Sequence, residues 1–498
     1  MVEPPLKSTL PLVESFRPEY LTFYRLLPLG FDGPRLRVAV YGEPCDDALV
    51  DLRDSYHAEL DLIPVSESAL EAGIRNAFAK DESTVELIRD LESVVPADLA
   101  EGDDGVTDVR LLANEPPVVK FVNLLVREAH AARASDIHLE ATREGLRVRL
   151  RIDGVLSDYA NPPRGLQAAI ISRLKLLAEL DIAERRAPQD GRIRARLDDR
   201  DLDLRVATIP TVHGESVVLR LLDRGGRPVG LEELGMAPEA LDTFRRLAQR
   251  PHGILIATGP TGSGKTTSLY AALVLRNASE EKIITVEDPV EYHLPGVTQV
   301  PVRTKAGVTF ATALRSILRH DPDVLMIGEM RDRETAGIAV QAAMTGHLVF
   351  STLHTNDALS AISRLADLGV EPYLVAATVE AIVAQRLVRR VCPHCAERYH
   401  PDPAVVSLAA GRPIGSISLV RGKGCGACRD TGYLGRIGIY EQLVVDDDVK
   451  QAVARSADRP ALRELAEAQG MRTLREDGWL KVEAGMTTID EVLRVAGP

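Results

Sequence analysis

GILIATGPTGSGKTTSLYAALVL, residues 253–275, carries three structural signals in a row. An apolar run from Gly253 to Thr258 predicts a buried strand, a glycine-rich turn that fits GxxxxGK[ST] follows, and a helical pattern begins at Lys265. Glycines in such a turn let successive backbone N–H groups face phosphate oxygens, and the following helix N-terminus adds a favourable dipole. The segment predicts a strand, a phosphate-binding loop and a helix, and this context disfavours an ordinary glycine-rich turn.

The residues of this loop have separate predicted roles. Lys265 holds the position that reaches the β- and γ-phosphates, and the hydroxyl of Thr266 holds the position that binds Mg²⁺. The predicted ATP-binding residues of the loop are Gly259, Pro260, Thr261, Gly262, Ser263, Gly264, Lys265, Thr266 and Thr267.

Strands and helices alternate on the carboxyl side of the loop. The strands KIITVED, DVLMIGE and HLVFSTL are separated by helical patterns that begin near Thr309, Glu334 and Ala358. Strands that are apolar on nearly every residue and alternate with helices are typical of a parallel sheet covered on both faces. The sequence therefore predicts an α/β fold around a parallel sheet.

Polar residues follow three of these strands, where ligands of open α/β sheets bind. Glu329 is the candidate that polarises an attacking water, and Glu287 and Asp288 are predicted to help hold the water or the Mg²⁺ shell. His354 is the candidate γ-phosphate sensor, with a capping role as the alternative.

Two further residues flank these strands, and of them Asp323 is predicted to lie far from the phosphates. His347 precedes the strand that His354 follows, and an extended run of seven residues spans ~23 Å. For His347, a structural or subunit-contact role is the alternative to a γ-phosphate contact. Asp323 lies at the start of its strand and is interpreted as a turn or cap residue.

The length and charge of the chain limit its domain number and its possible functions. The 498 residues correspond to about three domains. The 60 lysines and arginines against 73 acids give a net charge of −13, which disfavours a generic nucleic-acid binder. The start, MVEPPLKSTLPLVESFRPEY, lacks the pattern of a secretory signal, and no apolar run reaches 18 residues, so we expect a cytoplasmic protein.

Composition shifts predict three domains, at residues 1–105, 106–228 and 229–498. The first has a strand pattern at Leu36–Pro44 and a helical pattern at Ser68–Val95, followed by an acidic linker from Asp98 to Asp108. The second opens with a helix from Pro116 and continues with strands that alternate apolar residues and arginines. Its arginines are interleaved with aspartates, which favours a solvated or interface surface over nucleic-acid binding.

Four of the five cysteines form two CxxC pairs, Cys392 with Cys395 and Cys425 with Cys428. Two such turns can close on one tetrahedral ion, so the pattern predicts a structural Zn²⁺ site with no open position. An iron–sulfur cluster or a redox dithiol is the alternative, and Cys45 is a bystander. The insert would span residues about 390–432.

Several motifs together resemble the secretion ATPase superfamily, in particular the cytoplasmic ATPases of bacterial type II secretion. Besides the phosphate loop, they are SDIHLE (135–140), RIDG (151–154), APQDGR (187–192), ITVEDPVEY (284–292), DPDVLMIGEMRD (321–332) and TGHLVFSTLHTNDA (345–358). The match is continuous from about residue 115 to about residue 440.

This resemblance implies a RecA-like ATPase domain, PAS-like α+β modules before it and a helical region at about 441–498. It implies that the four-cysteine insert follows a helix, QRLVRRVC, Gln385 to Cys392. It further implies a homohexamer in which Arg205 and Arg220 contact the nucleotide, with Arg315, Arg319 and His347 at subunit interfaces. One departure from the family's pattern is Ser216, where arginine is common. Gly328 stands where other phosphate-loop enzymes carry the Walker B aspartate, but a glycine there is normal for this family.

The resemblance also implies a function. The chain would be a Mg²⁺-dependent ATPase that powers pseudopilus assembly and protein export by the type II secretion system. Its first domain would dock on the cytoplasmic domain of an inner-membrane partner, beside a polytopic platform protein, so that the ATPase is peripheral on the cytoplasmic face. The alternatives are a type IV pilus assembly ATPase, a DNA-handling motor and a non-enzymatic scaffold.

Overall fold

The computed structural model describes residues 18–32, 35–42, 44–56, 58–78, 113–197, 200–223, 229–276 and 280–497. The chain divides into two compact units, Met1–Val95 and Pro96–Pro498. This division lies close to the boundary predicted at residue 105, whereas the boundary predicted at residue 228 falls within the second unit. The acidic linker predicted at 98–108 lies outside the described residues.

In its described residues, the first unit contains a three-stranded sheet with three helices. Its elements are α1 (Pro18–Tyr24), β1 (Leu26–Asp32), β2 (Arg35–Val40), α2 (Asp46–Tyr56), β3 (Glu59–Pro64) and α3 (Glu67–Phe78). Strand β2 is central, antiparallel to β1 and parallel to β3. The strand predicted from Leu36 is β2. The helix predicted from Ser68 begins as α3, and the rest of that prediction lies outside the described residues.

The second unit begins with a six-stranded antiparallel sheet. Its elements are α4 (Pro116–Ala131), β4 (Ala134–Ala141), β5 (Leu146–Ile152), β6 (Val155–Ala160), α5 (Arg164–Leu177), β7 (Gln189–Leu197), β8 (Arg200–Thr211) and β9 (Gly214–Asp223). The strand order is β6-β5-β4-β9-β8-β7. Ile137, Leu139 and Val148 are buried against the helices, while Arg147 pairs with Asp158 on the other face, as the alternation predicts. These topologies do not confirm the PAS-like description of the N-terminal modules.

A seven-stranded sheet follows. Its strands are β10 (Gly253–Thr258), β11 (Ile283–Glu287), β12 (Thr298–Pro301), β13 (Val324–Ile327), β14 (Leu348–Leu353), β15 (Val379–Val391) and β18 (Tyr433–Val444). Between β15 and β18 in the chain, β16 (Ala396–Tyr399) and β17 (Leu419–Gly422) form a separate two-stranded sheet in the insert. The order is β12-β11-β13-β14-β10-β15-β18, and every pair is parallel except β15 with β18.

Helices cover both faces of this sheet. They are α6 (Pro238–Ala248), α7 (Lys265–Leu275), α8 (Phe310–Ile317), α9 (Arg333–Met344), α10 (Ala358–Asp367) and α11 (Pro372–Thr378). Alternate residues of β10 enter opposite hydrophobic clusters, with Ile254 and Ile256 in one and Leu255 and Ala257 in the other. The predicted α/β fold with a doubly covered parallel sheet is confirmed.

One predicted helix is wrong. QRLVRRVC forms the second half of β15, where residues from Gln385 to Val391 pair with β18. Val388 and Val391 are both buried although they lie three residues apart, because the register of pairing with β18 shifts between Arg389 and Val391. Tertiary pairing with β18 therefore determines the local structure here.

The remaining elements are helical. The insert contains α12 (Pro403–Ala410), and the chain ends with α13 (Asp447–Ala454), α14 (Arg459–Ala468), α15 (Leu474–Glu483) and α16 (Ile489–Ala496). Trp479, Val482 and Val492 pack against α12, so the C-terminal helices and the insert share a core. None of the helices in the described residues is long and apolar enough to cross a membrane.

Candidate nucleotide site and metal centre

The phosphate loop connects the end of β10 to α7. Gly259, Gly262 and Gly264 adopt φ values of 147°, 78° and 88°, which residues with a Cβ rarely adopt. A Cβ at Gly259 would also lie 2.5 Å from the carbonyl oxygen of Gln385. Backbone conformation therefore favours glycine at all three positions, and close packing adds a second reason at Gly259.

Lys265 lies inside this loop. Its Nζ donates to the carbonyl oxygens of Gly259 at 2.7 Å and Pro260 at 3.1 Å. Burial lowers the pKa of Lys265 to about 8, and the negative charge of Glu329 opposes part of that shift. The ammonium is thus held by neutral acceptors at the position where its predicted phosphate partners would bind.

Glu329 and His354 come together at the carboxyl edge of the sheet. They follow β13 and β14, which are neighbours in parallel register. Glu329 Oε2 lies 2.6 Å from Arg331 Nε and 3.3 Å from His354 Nε2. Burial lowers the pKa of His354, and the nearby positive charge of Lys265 lowers it further. The structure therefore places a buried carboxylate, an imidazole and the loop lysine within one electrostatic neighbourhood.

Glu287 has different surroundings from those of Glu329. Its side chain is buried, with Oε2 accepting from the Tyr270 hydroxyl and Oε1 accepting from Thr285 Oγ1 and from Gln299 Nε2 at 3.2 Å. Tyr270 belongs to α7 and Gln299 to the edge strand β12. The carboxylate therefore ties the loop helix to the sheet, and its predicted catalytic role stays a prediction.

Asp288, the next residue, is exposed and faces the six-stranded sheet. A cavity of about 510 Å³ lies between Asp288 and this sheet. Its lining residues are Asp190, Gly191, Arg192, Arg205, Val206, Ala207, Val218, Arg220, Asp288 and Pro289. The predicted nucleotide-contacting arginines, Arg205 and Arg220, thus share a cleft with a predicted metal-shell residue.

The two arginines of this cleft are held differently. Arg220 Nε donates to Asp136 Oδ1 at 2.9 Å, and Asp136 is buried. Arg205 is half-buried, and its burial lowers its pKa, while the charge of Glu291 opposes that shift. Burial raises the pKa of Glu291 in turn. Asp136 therefore anchors one arginine, and the other lies near the carboxyl group of Glu291, which follows β11.

The predicted interface residues have local partners within the chain. Arg315 forms an ion pair with Glu334, and Arg319 Nη1 donates to the carbonyl oxygen of Arg315 at 2.7 Å. His347 Nδ1 donates to the carbonyl oxygen of Ala342 at 2.9 Å, at the end of β14 remote from His354. Their role between subunits stays a prediction.

The structure shows the surroundings of three other residues that the sequence singled out, Asp323, Ser216 and Gly328. Asp323 Oδ2 accepts from the backbone N–H of Lys282 at 2.7 Å, so this carboxylate joins the starts of β13 and β11, and its interpretation as a turn or cap residue stays a prediction. Ser216 Oγ accepts from the backbone N–H of Ala141 at 3.1 Å, so this departure from arginine makes a sheet contact instead. A Cβ at Gly328 would lie 3.3 Å from the carbonyl oxygen of Val286, which leaves little room for an aspartate.

Sequence reasoning missed two residues beside the loop. Gln385 Nε2 donates to the carbonyl oxygen of Ser263 at 2.8 Å, and Arg386 lies next to it on β15. Both belong to the segment that was predicted as a helix. The run from Val379 to Ala384, apolar except at Glu380, is the signal that could have extended a strand to the loop.

The four predicted zinc ligands converge. Their Sγ atoms all lie within 4.8 Å of one another, with separations of 3.9 Å for Cys392–Cys425, 3.8 Å for Cys395–Cys428 and 3.7 Å for Cys425–Cys428. Four sulfurs at ~2.3 Å from one tetrahedral Zn²⁺ would be about 3.8 Å apart. The donor set and its spacing therefore fit a single closed zinc site.

The backbone supports this cluster. The N–H groups of Cys425 and Gly432 donate to Cys428 Sγ at 3.1 and 3.2 Å. Cys392 and Cys428 are buried, and Cys392 directly follows β15. The cluster thus closes the insert onto the edge of the main sheet.

Comparisons with known proteins agree with these features. Residues 112–494 match the protein family described as Type II/IV secretion system protein. Type II secretion system protein E of Xanthomonas campestris pv. campestris is 47% identical over 494 residues, covering 98% of this chain and 85% of that protein. Type IV pilus assembly ATPase PilB of Myxococcus xanthus is 42% identical over 478 residues, covering 95% of this chain and 84% of that protein.

A solved structure is also similar. The pilus retraction motor PilT with bound ADP aligns with a TM-score of 0.51 and 25% identity, covering 75% of this chain and 96% of that chain. The likeness spans most of the second compact unit's length and supports the interpretation of its loop as a nucleotide site.

Proposed function

This chain belongs to the type II/IV secretion system protein family, and from that membership we propose that it is an ATPase of the type II secretion system. The observation that carries the proposal is the cluster at the carboxyl edge of the sheet. There, Lys265 lies within the phosphate loop, and Glu329 and His354 lie within 3.3 Å of each other. ATP hydrolysis would power pseudopilus assembly and protein export.

The chain's own residues suggest how hydrolysis proceeds. The loop N–H groups and Lys265 would bind the β- and γ-phosphates. Glu329 would accept a hydrogen bond from the attacking water and orient it in line with the γ-phosphate. His354, held beside Glu329, would sense the γ-phosphate. Glu287 would keep α7, which carries Thr266, fixed against the sheet.

Two metal ions belong to the proposal. Thr266 would hold Mg²⁺, with Asp288 near its shell, and the ion would neutralise charge that develops on the phosphates. The four cysteines would hold a structural Zn²⁺ that fixes the insert.

We assign three working parts to the chain, with boundaries at about residues 105 and 228. The first would dock on the cytoplasmic domain of an inner-membrane partner and place the protein at the cytoplasmic face. The second would contribute Arg205 and Arg220 to the nucleotide cleft. We propose that the chain forms a homohexamer in which this part moves against the ATPase part. Arg315, Arg319 and His347 would contact neighbouring subunits.

A type IV pilus assembly ATPase is the second candidate, since a relative of that name is 42% identical. The type II assignment is favoured by coverage, because at the same 47% identity the Xanthomonas protein covers 98% of this chain and a pilus assembly ATPase of Thermus thermophilus covers 76%. Deleting the gene in its own bacterium separates the two. Loss of extracellular enzymes with intact pili supports secretion, whereas loss of pili with normal export supports pilus assembly.

The ATPase assignment has its own test. The rate of Mg²⁺-dependent ATP hydrolysis per chain, measured against protein concentration, should rise steeply as hexamers form, because the cleft arginines act at an interface. Adding the partner's cytoplasmic domain should raise it further. Absence of hydrolysis under all of these conditions would favour a scaffold, and stimulation by DNA would favour a DNA-handling motor.

A further inference from the structure

Strand β15 continues past the end of its neighbour β10. The last residue of β10, Thr258, pairs with Ala384, after which β10 turns into the phosphate loop. The next residues of β15, from Gln385 to Leu387, remain paired with β18 on their other side. A rigid strand therefore runs alongside the loop.

Gln385 shows how close this strand is. Its side chain is 1% exposed, and its Nε2 donates to the carbonyl oxygen of Ser263. A Cβ at Gly264 would lie 3.2 Å from that Nε2, and a Cβ at Gly259 would lie 3.1 Å from Arg386 Nη1. The guanidinium of Arg386 is therefore within van der Waals reach of the start of the loop.

Arg386 holds its charge against neutral acceptors. Nη2 donates to the carbonyl oxygen of Asn356 at 3.1 Å and to its Oδ1 at 3.3 Å, and Nη1 donates to the carbonyl oxygen of Gln385 at 3.3 Å. The guanidinium is half-buried, and its charge contributes to lowering the pKa of Lys265. The charges of Asp357 and Glu441 partly offset the effect of burial on the pKa of Arg386, but within the described residues the guanidinium makes no ion pair, so it can still bind a hydrogen-bonding anion.

Asn356 belongs to the segment that carries His354. We call residues His354–Asp357 the histidine segment. Thr258 and Thr355 attach this segment to the start of the loop, with 2.7 Å between their Oγ1 atoms and 2.9 Å between Thr355 N and Thr258 Oγ1. Arg386 provides a second attachment on the other side, so a shift of the guanidinium would move the histidine segment.

We propose that Arg386 binds the phosphates of the bound nucleotide and, through Asn356, positions the histidine segment for hydrolysis. The proposal rests on the proposed ATPase function and adds a phosphate-contacting residue from β15. A guanidinium is suited to this role because its planar fork can engage phosphate and Asn356 oxygens at once, whereas a lysine ammonium is a single point charge.

Three variants separate phosphate binding from positioning. Arg386→Gln should weaken the binding of ADP and of a non-hydrolysable ATP analogue about ten- to a hundredfold, the value of a charge-assisted hydrogen bond, and should also lower kcat. Arg386→Lys should recover part of the affinity but not kcat. Asn356→Ala should leave affinity unchanged and lower kcat, a split that a merely structural role would not produce.

Arg390→Gln is the matched control, because Arg390 lies on the same strand and is exposed. Equal nucleotide affinities for Arg386→Gln and Arg390→Gln would overturn the proposal. If Arg386→Gln does not fold, wild-type kcat in Arg386→Lys and Asn356→Ala would overturn it. Wild-type protein that binds the analogue but hydrolyses no ATP would instead overturn the proposed function, while the binding comparison still tests Arg386.

Discussion

The phosphate loop lies beside the middle of β15, and the four-cysteine cluster lies at its end. The two sites differ in how their charged and polar groups are paired. The cysteine sulfurs converge at 3.7 to 3.9 Å, so one tetrahedral ion would complete the site. At the nucleotide site, Lys265 of the loop and Arg386 of β15 donate to carbonyl oxygens, and the carboxylate of Glu329 lies near Lys265. The first site is closed around its ligand, whereas the second keeps excess positive charge for a polyanion that enters and leaves.

This difference suggests different consequences of mutation. Changes in the loop should alter chemistry and leave the fold intact, because the sheet core lies beneath it. Changes in the cysteine cluster should alter the stability of the insert and leave nucleotide binding intact.

The largest expected effect is that of Glu329→Gln. Glutamine keeps the size of the side chain but cannot accept a proton from water as a carboxylate does, so turnover should fall about a thousandfold. ATP binding should persist, because the loop and Lys265 are unchanged. Steady-state hydrolysis and analogue binding measure the two effects.

Glu371→Gln is the control for this variant, since Glu371 is exposed and its side chain makes no capping hydrogen bond to α11. Normal turnover in Glu329→Gln would remove the catalytic role and leave the carboxylate a structural partner of Arg331 and His354. Loss of ATP binding would break the separation between chemistry and fold in the loop.

Cys428→Ser tests the other region. It removes one thiolate of four, and a structural zinc site contributes about 10–16 kcal/mol in small peptides, so several kcal/mol of local stability should be lost. Purified protein should contain less than one zinc ion per chain and melt at a lower temperature, with unchanged nucleotide affinity. Metal analysis and thermal melting measure this.

Cys45→Ser is the matched control, because Cys45 is an exposed cysteine in the first unit. A fall in nucleotide affinity in Cys428→Ser would show that β15 transmits the state of the metal site to the loop. Full zinc content in that variant would contradict the four-thiolate assignment.

The two regions also differ in how much the sequence could predict. Both CxxC pairs and the loop motif are short contiguous patterns whose spacing determines their geometry, so their ligands could be named directly. Glu329 and His354 could be found because parallel strands bring their carboxyl ends to one edge. Gln385 and Arg386 could be placed beside the loop only by extending the preceding run as a strand, since they reach the loop through the long-range pairing of β15 with β10. The burial of Glu287 likewise depends on Tyr270 and Gln299, which come from distant segments.

A pH dependence should distinguish the loop further. Burial lowers the pKa of Lys265 to about 8. Raising the pH from 7 to 9 should therefore deprotonate Lys265 in most of the nucleotide-free molecules and weaken the binding of an ATP analogue about tenfold. Lys265→Arg should remove this dependence, since a guanidinium stays charged throughout. Calorimetry at both pH values measures the affinities, and a flat wild-type profile would contradict a depressed pKa.

The smallest expected effect concerns Gly328, which precedes Glu329. In Gly328→Ala, the new Cβ would lie 3.3 Å from the carbonyl oxygen of Val286 and 3.4 Å from Cα of Glu287. These are backbone atoms of the neighbouring strand that cannot move independently, so about 1 kcal/mol of stability should be lost. The same change at Gly337, an exposed position of α9 with no atom within 4 Å of a new Cβ, should gain up to about 1 kcal/mol. Opposite shifts of a few degrees in melting temperature would show that backbone proximity excludes a side chain, and hence an aspartate, at position 328. Equal shifts would mean that the absence of the Walker B aspartate has no steric cause.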